Sequence, residues 1–380
     1  MIRASLGLAF LAILLLGLPL LGVILADKPV APYLEFPPIT RYVVHAVFSW
    51  PVLVGLSLFT LACVLPFVRV LWRHRHQAES MKAPMRRFPG WGWLGLACTA
   101  GFWVLAWTRY TWFAPVQAFS FAPLWVGYIV VINALTWRRT GSCLMIRQPR
   151  LFFTLFVASA AFWWFFEYLN RFVQNWYYVG VSDYSAFEYF FHATLPFATV
   201  LPAVISTREW LASYNGLSVG LDTGRCVSVC RPRLWATAIF IAAVFGLLGI
   251  GLWPNQLYPL VWVAPLLLIV SSQVLLGHST VFDSVAKGDW RTLWLSALAA
   301  VQCGFFWEMW NYYSLAKWEY SIPYVHRFEI FEMPILGYAG YLPFGLECAV
   351  VAAWVATRLG SKPVPPELWA VQTRSSITNS

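Results

Sequence analysis

Apolar runs near the ~20 residues that a helix needs to cross a bilayer recur along the whole chain, and loops of roughly 10 to 25 residues separate them. This pattern predicts ten spans, at 6–26, 42–68, 90–108, 118–137, 151–172, 188–206, 234–253, 257–276, 292–313 and 331–357. The expected fold is all-α: a polytopic integral membrane protein of about ten transmembrane helices, organised as two parallel four-helix repeats plus two N-terminal helices. The first run, behind Arg3, has the charge order of a signal peptide. It is longer than an h-region, however, and Ile24 stands where a small residue should precede cleavage, so it is expected to be a retained span.

The positive charges test this count. With the N-terminus inside, Lys and Arg divide 20 to 6 in favour of the cytoplasmic side, led by clusters at 69–87, 138–150 and 208–233. That bias places both termini in the cytoplasm and points to a bacterial inner membrane. The net charge of +10 is thereby explained as a topology signal, and no nucleic-acid partner is expected. The seven cysteines are scattered and imply neither a disulfide framework nor a metal site, and no cofactor is expected.

The stretch FFEYLN, from Phe165 to Asn170, returns 141 residues later as FWEMWN, from Phe306 to Asn311. At that offset Phe165–Pro202 aligns with Phe306–Pro343 without a gap, with 10 identities in 38 positions. Both copies have the same expected orientation, which implies parallel halves related by a pseudo-two-fold axis along the membrane normal. The organisation that follows is an N-terminal addition at 1–88, repeat one at 89–206, a cytoplasmic linker at 207–233, repeat two at 234–360 and a short tail at 361–380. In each half a Trp-x-Tyr follows the acid-bearing helix (Trp176 and Tyr178, Trp318 and Tyr320). A Phe-Glu-x-Phe is then expected to open the next helix (Phe187 to Phe190, Phe328 to Phe331).

Residues three apart share a helix face, so Glu167 with Asn170, and Glu308 with Asn311, each address one point. A carboxylate in the hydrocarbon layer is costly unless it faces the bundle interior, finds a partner or stays protonated. Eighteen helical residues would also bring Glu329 and Glu347 onto one stripe, with Glu332 nearby. Offset 141 pairs Glu347 with Ser206 and Met333 with His192, so the halves are not equivalent. Among 23 tryptophans, aromatic belts account for many, but Trp163, Trp164, Trp307 and Trp310 flank the acids on the same helices, where they could wall an apolar pocket. The plainer alternative is that Glu and Asn are interhelical hydrogen-bond glue tying the helix ends to the long loops.

Trp307 with Glu308, Trp318 with Tyr320, and Glu329 and Glu332 beside Pro334 together resemble the lycopene cyclase domain of carotenoid synthesis. That resemblance implies a lipid-modifying activity. The chain lacks that domain's consecutive Glu pair and carries Glu, not Asp, after the Trp. YLEFPP (Tyr33 to Pro38) and FSW (Phe48 to Trp50) are similar to Trp-rich bacterial membrane proteins of unassigned function, a likeness that implies no activity.

Three functions fit this pattern. In an intramembrane enzyme acting on an isoprenoid, quinone or other lipid, Glu308 would be general acid and Asn311 would orient it. Glu329, Glu332 or Glu347 would serve as base, Glu167 and Asn170 would form the duplicate pair, and Trp307, Trp310, Trp318, Tyr320, Trp163, Trp164 and His192 would bind substrate. A proton- or cation-coupled transporter would need a polar path between the halves. A scaffold would need a sealed interior. No GxxxxGK[ST], HExxH or GxSxG is present, which argues against a P-loop NTPase, a zinc protease or a serine hydrolase.

Overall fold

A computed structural model describes residues 2–79 and 85–361. The tail expected at 361–380 lies outside the described residues apart from residue 361, as does Lys82 of the first basic cluster. The principal helices are α1 (Ile2–Leu25), α2 (Trp50–Glu79), α3 (Gly90–Trp107), α4 (Phe121–Thr140), α5 (Pro149–Val173), α6 (Ala186–Phe197), α7 (Val200–Ala212), α8 (Pro232–Leu252), α9 (Ala264–Leu275), α10 (Arg291–Asn311) and α11 (Tyr341–Arg358).

Among the described residues six helical stretches are long and apolar enough to cross a membrane: Trp50–Gln77, Phe121–Thr140, Pro149–Val173, Ala186–Ala212, Pro232–Leu252 and Ile335–Arg358. A seventh is counted if Pro254–Trp262 and Ala264–Leu275, bent by 52°, form one broken span. Prolines at 254, 259 and 265 account for the break, because each removes a backbone donor and crowds the preceding turn. Helices α3 and α10 occupy two more of the expected positions without reaching the same combination of length and hydropathy, and α1 contributes a further apolar helix over Ala9–Leu25.

Helix α7 is the hub, packing against α4, α5, α10 and α11, while α10 also lies along α11. Helix α1 is pressed onto α8 through glycine. A Cβ on Gly22 would lie 2.0 Å from the Leu248 carbonyl oxygen, the kind of close backbone approach that substitutes for a hydrophobic drive between helices in lipid.

One end of the bundle carries a small antiparallel sheet, β1 (Trp176–Val179) with β2 (Lys317–Tyr320), in which Trp176 faces Tyr320 and Tyr178 faces Trp318. At its centre Tyr177 faces Glu319 and donates to its Oε2 at 2.9 Å. The opposite end gathers the basic clusters: Arg139 donates to Ser213, and Arg147 pairs with the buried Glu209 at 3.0 Å.

Three local expectations need correction. The second span begins at Trp50, not 42, because residues 41–49 run extended over the strand end. There Gln174 accepts from the Tyr42 and Val43 amides, and Asn255 bridges Ala46 and Val44. Pro51 then sits in the first turn of α2, the one place in a helix where its missing N–H is harmless.

The two Phe-Glu-x-Phe copies also fold differently. In the first, Ser185 caps α6 and Glu188 completes a reciprocal capping box. In the second, the position of Ser185 is taken by His326, which cannot cap in that way and pairs with Glu329 at 3.4 Å. Phe328 and Phe331 are left-handed (φ 58° and 59°), and the segment forms a hairpin of β3 (Glu329–Ile330) and β4 (Met333–Pro334). Consequently no helical stripe joins Glu329 to Glu347, since α11 starts only at Tyr341.

Candidate functional site

Each Glu-x-x-Asn stands in the last turns of its helix, α5 or α10, and reaches the strand that follows. The carboxamide of Asn170 donates to the Trp176 carbonyl at 2.7 Å and accepts from the Trp176 amide at 3.3 Å. Asn311 does the same with Trp318, at 2.7 and 2.9 Å. A carboxamide carries a donor and an acceptor side by side, so it pairs with one residue's N–H and C=O as a neighbouring strand would.

With its backbone held, each Trp-x-Tyr turns back onto the carboxylate. Glu167 Oε1 accepts from Trp176 Nε1 (3.0 Å), Tyr178 OH (2.6 Å) and Trp163 Nε1 (3.0 Å). Glu308 accepts from Tyr320 OH (2.7 Å) and Tyr341 OH (2.7 Å) on Oε1 and from Trp318 Nε1 (3.3 Å) on Oε2. Burial pushes the Tyr178 and Tyr320 phenols well above their ordinary value, and the adjacent carboxylates push the same way, so both stay protonated and act as donors. Both acids are buried, Glu308 completely.

The third donor differs between copies for a steric reason. Offset 141 matches Trp163 with Gly304, each four residues before its Glu. In copy one the Trp163 indole fills that place and donates. In copy two a Cβ on Gly304 would lie 2.3 Å from the Tyr341 ring, so the glycine opens the room through which Tyr341, arriving from α11, reaches Glu308.

The other candidate residues do not converge on this point. Glu332 pairs with Lys317 at 2.5 Å, and Glu329 is exposed beside His326. Burial opposes the charge on Lys317, but Glu332 and Glu319 outweigh it and hold the ammonium above its usual value. Glu347 is buried against α9, accepting from the Leu266 amide near the start of that helix at 3.1 Å, and its Oε2 has no partner among the described residues. Trp310 packs on Trp125 and Trp103, and Trp164 donates to Thr194 and stacks on Phe190.

A cavity of about 720 Å³ lies against both motifs. Of the expected binding residues, Trp163, Trp307, Trp318, Tyr320 and His192 line it, whereas Trp164 and Trp310 do not. Its walls also include Trp176, Tyr178 and Tyr341, donors to the two carboxylates, and Trp163 and Trp307 approach each other to 6.3 Å between ring centres. None of its lining residues is Asp, Glu, Lys or Arg. One side is a stripe of α2, Leu56, Thr60, Cys63 and Phe67, at helical spacing.

No family model, curated protein or solved structure matches this chain.

The site is therefore read from its own geometry. The carboxylates stand behind the aromatic wall and hold it, and the wall faces an uncharged space. Sequence reasoning missed Tyr341, which belongs to no motif; Gly304, one helical turn before Glu308, was the available signal. It also missed Gln174, whose carboxamide donates to Thr40 and accepts from residues 42 and 43, and the buried Glu209, which binds the Leu144 amide and Arg147.

Proposed function

We propose that this integral membrane protein binds the apolar chain of a membrane lipid, an isoprenoid, a quinone or another hydrocarbon-rich molecule, in the cavity between its two Glu-x-x-Asn motifs. The observation that carries this reading is the cavity itself: about 720 Å³, walled by aromatic and aliphatic side chains, without a charged lining residue. Ligand pockets are commonly of this size and character. In this reading Glu167, Asn170, Glu308 and Asn311 are the ties that fix the Trp and Tyr walls, so their contribution is structural.

The architecture proposed with it is two parallel four-helix repeats plus two N-terminal helices, ten crossings in all. The same Asn bonding to the Trp backbone in both copies, with each Glu accepting from its own Trp-x-Tyr, supports the repeat. So does strand pairing in which each Trp faces the other copy's Tyr across a Tyr177–Glu319 centre. The same proposal puts both termini on the cytoplasmic side of a bacterial inner membrane and the strand end outside, a reading supported by the basic clusters at the other end.

A coupled transporter needs charged groups along its path, and the cavity wall offers no Asp, Glu, Lys or Arg. A sealed scaffold needs no cavity. The enzyme reading keeps one specific support: Tyr320 and Tyr341 both line the cavity and both donate to Glu308, so a proton could pass between ligand and carboxylate through a phenol.

The test is native mass spectrometry of the purified protein, with lipid extraction, beside a variant whose cavity is filled by Ala297→Phe with Ala193→Phe. A hydrocarbon-rich lipid bound to the wild type and lost from the filled variant is expected. Equal lipid content in the two proteins would sink the proposal.

A further inference from the structure

We infer that the ligand's head is uncharged, a hydroxyl or carbonyl oxygen and not a phosphate or an ammonium. The inference rests on the reading of the cavity as a lipid site and adds the chemical class it accepts.

The first argument is the wall. Its 43 residues include no Lys or Arg to meet a phosphate and no Asp or Glu to meet an ammonium. An ion placed there would lose its hydration with no counter-charge, a penalty that proteins avoid by pairing such groups.

The second argument is what stands behind the wall. Trp176, Tyr178, Trp318, Tyr320 and Tyr341 line the cavity and donate hydrogen bonds to Glu167 and Glu308. Two carboxyl groups one side chain deep make the site hostile to an anion. The indole and phenol donors nearest those carboxyls are already engaged with them.

The third argument is a place for a neutral oxygen. Tyr189 and His192 stand one helical turn apart on α6 and both line the cavity. Tyr189 is 4% exposed, yet its hydroxyl has no hydrogen-bond partner among the described residues, and neither does His192 Nδ1. Asn175, also in the wall and 3% exposed, has an unpartnered Oδ1. Buried polar atoms are nearly always bonded, so unmet groups in the wall of a binding space mark where a ligand's polar atom is received. The His192 ring is held between Phe119 and Tyr184, with centroids at 4.3 and 4.9 Å, so its orientation is fixed by stacking. The second half has no equivalent of the Tyr189 and His192 pair: Ile330 and Met333 take their places and lie in the hairpin.

The test uses a short-tailed benzoquinone as a quencher of the seven tryptophans that line the cavity, in nanodiscs at pH 7.5, with all concentrations expressed as mole fraction in the bilayer. Geranylgeraniol and geranylgeranyl monophosphate then compete. They share a tail and differ only in the head, a neutral hydroxyl in one and an anionic phosphate in the other. The alcohol is expected to displace the quinone at a mole fraction at least tenfold lower than the phosphate. Tyr189→Phe should weaken the quinone and the alcohol about fivefold without lowering the melting temperature, because the lost hydroxyl has no protein partner. A phosphate that competes as well as the alcohol, or an unchanged affinity in Tyr189→Phe, would overturn the inference while leaving the apolar-chain site standing. Quenching that does not saturate, or is the same in the filled variant, removes the site itself and the inference with it.

Discussion

At the residue scale, the question is what two acids are doing within the last turns of two apolar helices. Glu308 accepts three hydrogen bonds from side chains that wall the cavity, so truncating it strands the Tyr320 and Tyr341 hydroxyl protons and leaves Trp318 only its bond to the Tyr320 hydroxyl. Glu308→Ala is expected to cost about 3 kcal/mol or more and Glu308→Gln roughly half that, since the amide keeps one acceptor; thermal unfolding in detergent checks both. If Glu308→Gln left stability and ligand binding intact but abolished turnover of a bound lipid, the enzymatic role would regain its place. Asn311→Leu should cost about 2 to 4 kcal/mol, because it frees a buried N–H and C=O of Trp318 at once, whereas the same change at an exposed Asn would not. Gly304→Leu should displace the Tyr341 ring. Its effect and that of Tyr341→Phe should then fall well short of additivity in a double-mutant cycle, because both remove the same bond.

At the element scale, the two Phe-Glu-x-Phe copies show how a cap decides a fold. The first has Ser185 and becomes a helix; the second has His326 and becomes a hairpin with two left-handed phenylalanines. Ser185→Ala is expected to fray the start of α6 at a cost of about 1 kcal/mol, visible as faster hydrogen exchange at residues 186–190. The loop before α2 carries the protein's clearest acid-sensitive tie. Glu35 accepts from the Thr40 amide and hydroxyl, both at 2.8 Å, and the backbone bond foremost holds its carboxyl below the ordinary 4.5. A lowered folded-state value means that the contribution is complete above about pH 4.5 and is lost as the pH falls through that lower value. Exchange at the Thr40 amide should therefore accelerate, relative to its intrinsic rate, only as the pH falls below about 4.5, and Glu35→Gln should remove that acid-induced step; the same step in Glu35→Gln would contradict it.

At the scale of the whole molecule, bundle and strand end serve one another. The Asn ties hold β1 and β2 each onto the end of its own helix, and Trp176, Tyr178, Trp318 and Tyr320 of those strands line the cavity. A ligand that occupies the folded form stabilises it by mass action, about 2.7 kcal/mol at a hundredfold excess over its Kd. Neutral isoprenoid added to the delipidated protein should thus raise the melting temperature of the wild type and leave that of the filled Ala297→Phe, Ala193→Phe variant unchanged.

The sequence by itself determined the helical membrane class, because runs long enough to cross a bilayer are a property of composition along the chain and need no partner. It also determined that Glu167, Asn170, Glu308 and Asn311 act in pairs, since three-residue spacing fixes a common helix face before anything packs. The plainer reading of those pairs, glue between helix ends and loops, is the one that their bonds resemble. Only the tertiary structure decided what they bond to. Tyr341 lies 33 residues beyond Glu308 and reaches it because Gly304 leaves space, a relation invisible to any local period. The cavity was equally out of reach, for it is an absence of atoms bounded by side chains from many elements. Glu329 and Glu347 were expected on one stripe and are not, because a helical phase holds only while the helix continues, and here a missing cap and Pro334 ended it.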